Sequence, residues 1–110
     1  MPETLELTPQ EASRVVKGEE AVLIDVREPE EYAIARIDGA RLIPMQSIPE
    51  ELQKLKELAG ESKLVILCHH GVRSLQVASW LRGQGLEKSY SVAGGIDRWS
   101  QEIDPTVPRY

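Results

Sequence analysis

Leu64-Val65-Ile66-Leu67-Cys68-His69-His70-Gly71-Val72-Arg73-Ser74 passes from an unbroken apolar run, through the only cysteine in the chain, into a short polar loop. Four consecutive leucyl or β-branched residues suit a strand buried on both faces. Ser74, followed by Leu75, Val77, Ala78 and Leu81, predicts an amphipathic helix capped by the serine. The stretch therefore reads as strand, anion-binding loop, helix, with Cys68 at the carboxyl end of the strand. In open parallel sheets that edge collects ligands and chemistry, because its loops face the unpaired N–H groups of helix amino termini.

A free thiol with an unperturbed pKa of about 8.5 is only a few per cent thiolate at neutral pH. Bringing it below 7 takes roughly 2 kcal/mol, whereas one exposed helix-dipole interaction supplies about 0.3–1 kcal/mol. The loop offers more. Gly71 permits a curled backbone whose successive N–H groups point inward as an anion nest, and Arg73 adds a permanent positive charge. Without these surroundings Cys68 would read as a small core residue, and Arg73 as a solvent-facing helix residue. His69 and His70 suggest a metal site, but adjacent side chains at a strand end diverge, and no second cysteine completes a tetrahedral set. The expectation is no metal, with the histidines shaping the pocket mouth or adding charge there.

Outward from this stretch, strand and helix patterns alternate. Thr8-Pro9-Gln10-Glu11 is a capping box that opens a helix through Ala12, Val15 and Val16, stopped by Gly18. Ala21-Val22-Leu23-Ile24-Asp25-Val26 reads as a buried strand followed at once by Arg27. If it runs parallel to the Cys68 strand, Asp25 and Arg27 lie close to the loop as candidates for the site rim. The alternative is that Asp25 accepts loop hydrogen bonds and Arg27 pairs with a surface carboxylate. Pro29-Glu30-Glu31-Tyr32 starts a short helix, and a turn at Ile37-Asp38-Gly39-Ala40 leads into a strand over 41–44. A second capping box, Ser47-Ile48-Pro49-Glu50, predicts a helix with an apolar stripe of Leu52, Leu55, Leu58 and Ala59, ended by Gly60. Gly83-x-Gly85 breaks the helix after Cys68, Ser89-Tyr90-Ser91-Val92 reads as the last strand, and Gly94-Gly95 leads into a helix carrying Trp99. This alternation calls for an α/β fold, a parallel sheet with helices on both faces and right-handed crossovers.

The 110 residues suffice for one compact domain, 1–110, and are too few for two ordinary ones. With 13 Lys plus Arg against 18 Asp plus Glu, the formal charge of -5 repels nucleic-acid phosphates and anionic membranes. Neither is an expected partner. A lone cysteine forms no internal disulfide, and Met1-Pro2-Glu3-Thr4-Leu5-Glu6 has neither the basic start nor the apolar core of a signal peptide. A reducing cytoplasm is the expected compartment.

The spacing Cys68-x-x-Gly71-x-Arg73-Ser74, together with Asp25-Val26-Arg27-Glu28, resembles the rhodanese family of sulfurtransferases, whose active loop has the form C-x-x-G-x-R-[ST]. The resemblance extends through Ile24 to Tyr32, Arg36-Ile37-x-Gly39-Ala40-x-x-Ile43-Pro44, and Val92-x-Gly94-Gly95-x-x-x-Trp99. Arg36 stands where the family often has histidine, and Ile103 where it has glycine. The resemblance implies a rhodanese-like central parallel sheet of about five strands. It also implies a reaction, in which Cys68 takes sulfane sulfur from a small anionic donor such as thiosulfate and passes it to a thiol or cyanide acceptor. His69, His70, Gly71, Val72, Arg73 and Ser74 would form the anion-binding loop, with no cofactor. Three rivals stay open: a persulfide relay serving a protein donor or acceptor, a phosphatase or arsenate reductase on the same fold, and a binding module. Four residues separate Cys68 from Arg73, one fewer than in cysteine-dependent phosphatases. A tighter loop suits a persulfide better than a phosphoryl group, and no general acid can be assigned beyond the guess of Asp25.

Overall fold

The computed structural model describes residues 4–110; the reading of Met1, Pro2 and Glu3 lies outside the described residues. Five strands form one sheet: β1 (Glu6–Leu7), β2 (Ala21–Asp25), β3 (Arg41–Leu42), β4 (Lys63–Leu67) and β5 (Ser89–Val92). Their order is β1-β5-β4-β2-β3, and every pairing is parallel. The connecting helices are α1 (Pro9–Lys17), α2 (Pro29–Ile34), α3 (Leu52–Ala59), α4 (Val72–Gly83) and α5 (Gly95–Glu102), with a 3-10 turn at Met45–Ser47 before α3. The α/β architecture expected from the alternation is the one observed. Among the described residues, no helix is long and apolar enough to cross a membrane.

The two central strands, β2 and β4, are largely apolar because both of their faces are covered. Leu23, Val65, Leu67 and Val92 point toward α1 and α5, where Ala12, Val15, Ile96 and Trp99 meet them. Ile24, Val26, Leu64, Ile66 and Cys68 point the other way, toward Leu55 and Ala59 of α3 and Val77, Ala78 and Leu81 of α4. Period-two alternation thus assigns each residue to one of two cores, and full burial of each Leu or Ile contributes about 1.5–3 kcal/mol.

Some boundaries differ from the sequence reading. The Thr8 box forms as expected, its hydroxyl accepting from the Glu11 amide and the Glu11 carboxylate from the Thr8 amide. Gly18 ends α1, although the left-handed turn falls on Glu19, at φ 59°. The second box does not form. The Glu51 amide donates to the backbone carbonyls of Ser47 and Ile48, so Ser47 closes the 3-10 turn and α3 begins at Leu52. The two-residue β1 escaped notice because an edge strand this short leaves no pattern to count.

Candidate active site

β2 and β4 lie side by side in the middle of the sheet, with Asp25 paired to Leu67, so their loops emerge together at the carboxyl edge. Beyond β4 the chain curls around the sulfur of Cys68. The Gly71 amide donates to Sγ at 3.1 Å, the Ser74 amide donates at 3.3 Å, and the thiol reaches Ser74 Oγ at 3.3 Å. Cys68 is 1 % exposed. Helix α4 starts at Val72, with Gly71 as its cap at φ 98°, and Ser74 is not the cap the sequence suggested. A left-handed residue here turns the first helical amides onto the sulfur, and Ser74 follows inside the first turn with its hydroxyl inward. A Cβ at Gly71 would also press on the Gly94 nitrogen at 3.1 Å.

Ser74 has a second hydroxyl behind it. Its Oγ lies 2.7 Å from Ser91 Oγ on β5, and either atom can donate. With a neutral thiol, sulfur donates to Ser74 and Ser74 to Ser91. With a thiolate the pair reverses, Ser91 donating to Ser74 and Ser74 to sulfur. Both serines are wholly buried, so this reversal needs no water.

The loop's carbonyls are managed from outside. Ile96 N donates to the Cys68 carbonyl at 2.8 Å and Asp97 N to the His69 carbonyl at 3.1 Å. The free amides at the start of α5 thus absorb the outward-facing oxygens and leave the loop's own amides to face sulfur. Such an approach requires Gly95, at φ 61°, because a Cβ there would collide with both carbonyl oxygens.

The Arg73 side chain is engaged by a carboxylate. It makes a two-pronged pair with Glu31 of α2, at 2.7 and 2.9 Å. This pair keeps Arg73 firmly charged and, as its largest influence, pulls the Glu31 carboxyl down to about 2. Asp25 and Arg27 lie beneath the rim, not on it. Both side chains are wholly buried, and Arg27 donates to both Asp25 oxygens and to the Ala35 carbonyl. Period-two spacing puts residues 25 and 27 on one side of the chain, where each satisfies the other. Asp25 is therefore held as a partner for Arg27, an arrangement that does not suit the general acid guessed from sequence.

His69 and His70 do not diverge. Their rings stack at 3.8 Å, because the chain has left the strand by this point and bends. His69 also stacks on Tyr110 at 3.9 Å, and burial, followed by His70, lowers its pKa. His69, His70 and Asp97 place ligand atoms within 4.8 Å of one another. A tetrahedral metal with bonds of about 2.1 Å needs edges of about 3.4 Å. Reaching that would break the histidine stack and displace Arg109, which pairs with Asp97 at 2.9 Å. Val72 is highly exposed at the loop mouth.

The rhodanese-like domain family model matches residues 8–102. The chain belongs to that family. It is 41 % identical over 96 residues to the Rhodanese-like/PpiC domain-containing protein 12, chloroplastic, of Arabidopsis thaliana, covering 84 % of this chain and 31 % of that protein. The chain thus spans about a third of that relative's length. A relative of matching size is the thiosulfate sulfurtransferase GlpE of Actinobacillus succinogenes, 34 % identical over 105 residues and covering 96 % of this chain and 92 % of that one. Among solved structures, the human single domain sulfurtransferase TSTD1 superposes with a TM-score of 0.77 at 27 % identity, covering 91 % of this chain and 98 % of that one. The rhodanese-like fold seen here is thus shared with a solved structure about as short as this chain.

Proposed function

We propose that the chain acts as a single sulfurtransferase domain, 1–110, in which Cys68 carries sulfur. The thiolate attacks the sulfane sulfur of thiosulfate. A Cys68 Sγ–S bond forms, the bond to the sulfonate sulfur breaks, and sulfite leaves with the electron pair. Cyanide or a thiol then attacks the outer sulfur and returns the electron pair to Sγ, giving thiocyanate or a new persulfide. The observation that carries this reading is the convergence of two backbone N–H groups and a hydroxyl on the sulfur of the chain's one cysteine. His69, His70 and Val72 would border the incoming donor, and Arg73 would draw it in. This chemistry needs a thiol kept reduced, so a cytoplasmic location belongs to the same proposal.

The test is intact mass. Thiosulfate should add one sulfur atom to the native chain, cyanide should remove it with release of thiocyanate, and Cys68→Ser should never load. Loading by a protein persulfide but never by thiosulfate would replace turnover with the relay reading. Aryl phosphate hydrolysis matching sulfur transfer would restore the phosphatase.

A further inference from the structure

Two charged pairs flank the loop, and one side chain joins them. Arg27 Nη1 donates to Tyr110 Oη at 2.8 Å, and Tyr110 Oη donates to Glu31 Oε2 at 2.8 Å. The same Oε2 accepts from Arg73 Nη2 at 2.9 Å. The other Glu31 oxygen accepts from Arg73 Nη1 at 2.7 Å and from the Glu28 amide at 3.0 Å. We propose that Tyr110 is a positioning residue for the active loop: its hydroxyl ties the partly exposed Glu31–Arg73 pair to the buried Asp25–Arg27 pair and so fixes Arg73 at the loop mouth. The role in sulfur transfer rests on the function proposed above; the coupling itself does not.

The physical need is clear from the two anchors. Arg27 cannot move, being wholly buried between Asp25 and the carbonyls of Glu31 and Ala35. Arg73 is less confined, its side chain 33 % exposed, and pairs with a carboxylate carried by the six-residue α2, which buries no side chain of its own. A carboxylate held by the arginine alone can rock with it, whereas a third partner on Oε2 fixes its plane and hence the guanidinium that it grips. The phenol suits the junction because it can accept from a cation and donate to an anion at once. Burial first, then Glu31, raise its pKa above the ordinary tyrosine value, with Arg27 opposing, so the donated proton stays in place at neutral pH. The tail brings the ring in from outside. The Ser100 hydroxyl donates to the Val107 carbonyl, Arg109 pairs with Asp97, and the Tyr110 ring then lies flat on His69. Sequence offered no sign of this, since residues 31 and 110 are remote along the chain.

Tyr110→Phe keeps the stacked ring and removes only the hydroxyl. The first readout is the ratio of Cys68 alkylation rates with iodoacetate, an anion, and iodoacetamide, which is neutral. It reports Arg73's position and requires no sulfur transfer. The ratio should fall about threefold and KM for thiosulfate should rise by a similar factor with kcat within about twofold, because a guiding charge is displaced while the sulfur cradle remains. In an Arg73→Ala background the same change should have no further effect. An unchanged ratio, or an equal fall in both backgrounds, overturns the proposal. A native protein that ignores thiosulfate while its ratio still falls on Tyr110→Phe would sink the sulfur reading and leave the coupling standing. Should the variant unfold, proton NMR of the native protein decides: the Tyr110 hydroxyl proton, held between Arg27 and Glu31, should be slow to exchange with water and show a cross-peak to the Arg27 guanidinium, and a hydroxyl proton that exchanges freely overturns the bridge.

Discussion

The loops after β2 and β4 leave adjacent strands at the same edge of the sheet, yet they solve opposite problems. The first takes two full charges out of water and satisfies each with the other, leaving nothing for a ligand. The second takes the Cys68 thiol and turns two backbone amides, those of Gly71 and Ser74, onto its sulfur. One loop is finished as folded, while the other is held ready. Their ion pairs show the same division: Asp25–Arg27 is 0 % exposed on both sides, whereas Arg73–Glu31 is 33 % and 20 % exposed. Proximity to the proposed catalytic cysteine therefore does not identify a working residue. What distinguishes one is capacity left unspent.

The sharpest way to break this contrast is to remove half of the finished pair. Arg27→Met should cost about 3–5 kcal/mol, because Asp25 is left as an uncompensated buried charge. For a domain this small the thermal midpoint should drop by well over about 10 °C, measurable by calorimetry. A drop of only a degree or two would mean that Asp25 takes up a proton or reaches water freely, and that the first loop is not sealed.

A smaller but more local effect is expected from the second loop. Gly95→Ala should destabilise by about 2 kcal/mol, combining a left-handed alanine with the collision against two backbone carbonyls. Its larger consequence should be chemical. Once the Cys68 and His69 carbonyls are pushed away from α5, the cradle amides turn with them, and Cys68 alkylation by iodoacetamide at neutral pH should change by about tenfold or more. Alkylation at the native rate would show that the cradle holds its shape without α5.

The smallest effect separates the two ion pairs by pH. Glu31 has its folded pKa depressed from 4.5 to about 2, so its pair stabilises the fold fully above the unfolded value and is lost as pH falls from 4.5 toward 2. The native protein should therefore exceed Glu31→Gln in thermal midpoint at pH 6 by a modest margin, since the pair is partly exposed, and the margin should shrink steadily below pH 4.5. A margin that stays constant to pH 2.5 would show that the glutamate acts by packing alone.

Much of this was legible from local chemistry. The apolar run over 64–67, the Thr8 box and the strand at Ser89–Val92 each declare themselves within a few residues, and the alternation they set up dictates a parallel sheet. Failures came where a local rule met a competitor. Ser74 has the right chemistry for a cap, but its hydroxyl is used on sulfur, and Gly71 supplies the turn. Ser47 likewise lost its capping role to backbone carbonyls. Reading His69 and His70 as divergent assumed strand geometry one residue too far. At the site, Cys68 and its loop could be proposed from spacing, whereas Glu31, Ser91, Gly95 and Tyr110 could not be given roles. Their partners lie 17 to 83 residues away along the chain, and only the folded arrangement brings them together.

The dependence of the cradle on α5 also orders events in time. Among the described residues β1 pairs only with β5, and the carbonyls of Cys68 and His69 are taken by the amides of Ile96 and Asp97, both of which follow Cys68 by more than two dozen residues. During synthesis on a ribosome, Cys68 emerges before either, at a stage when its loop carbonyls have no α5 to meet. The Cys68 loop therefore gains its last backbone partners from the same carboxyl-terminal segment that gives β1 its place in the sheet.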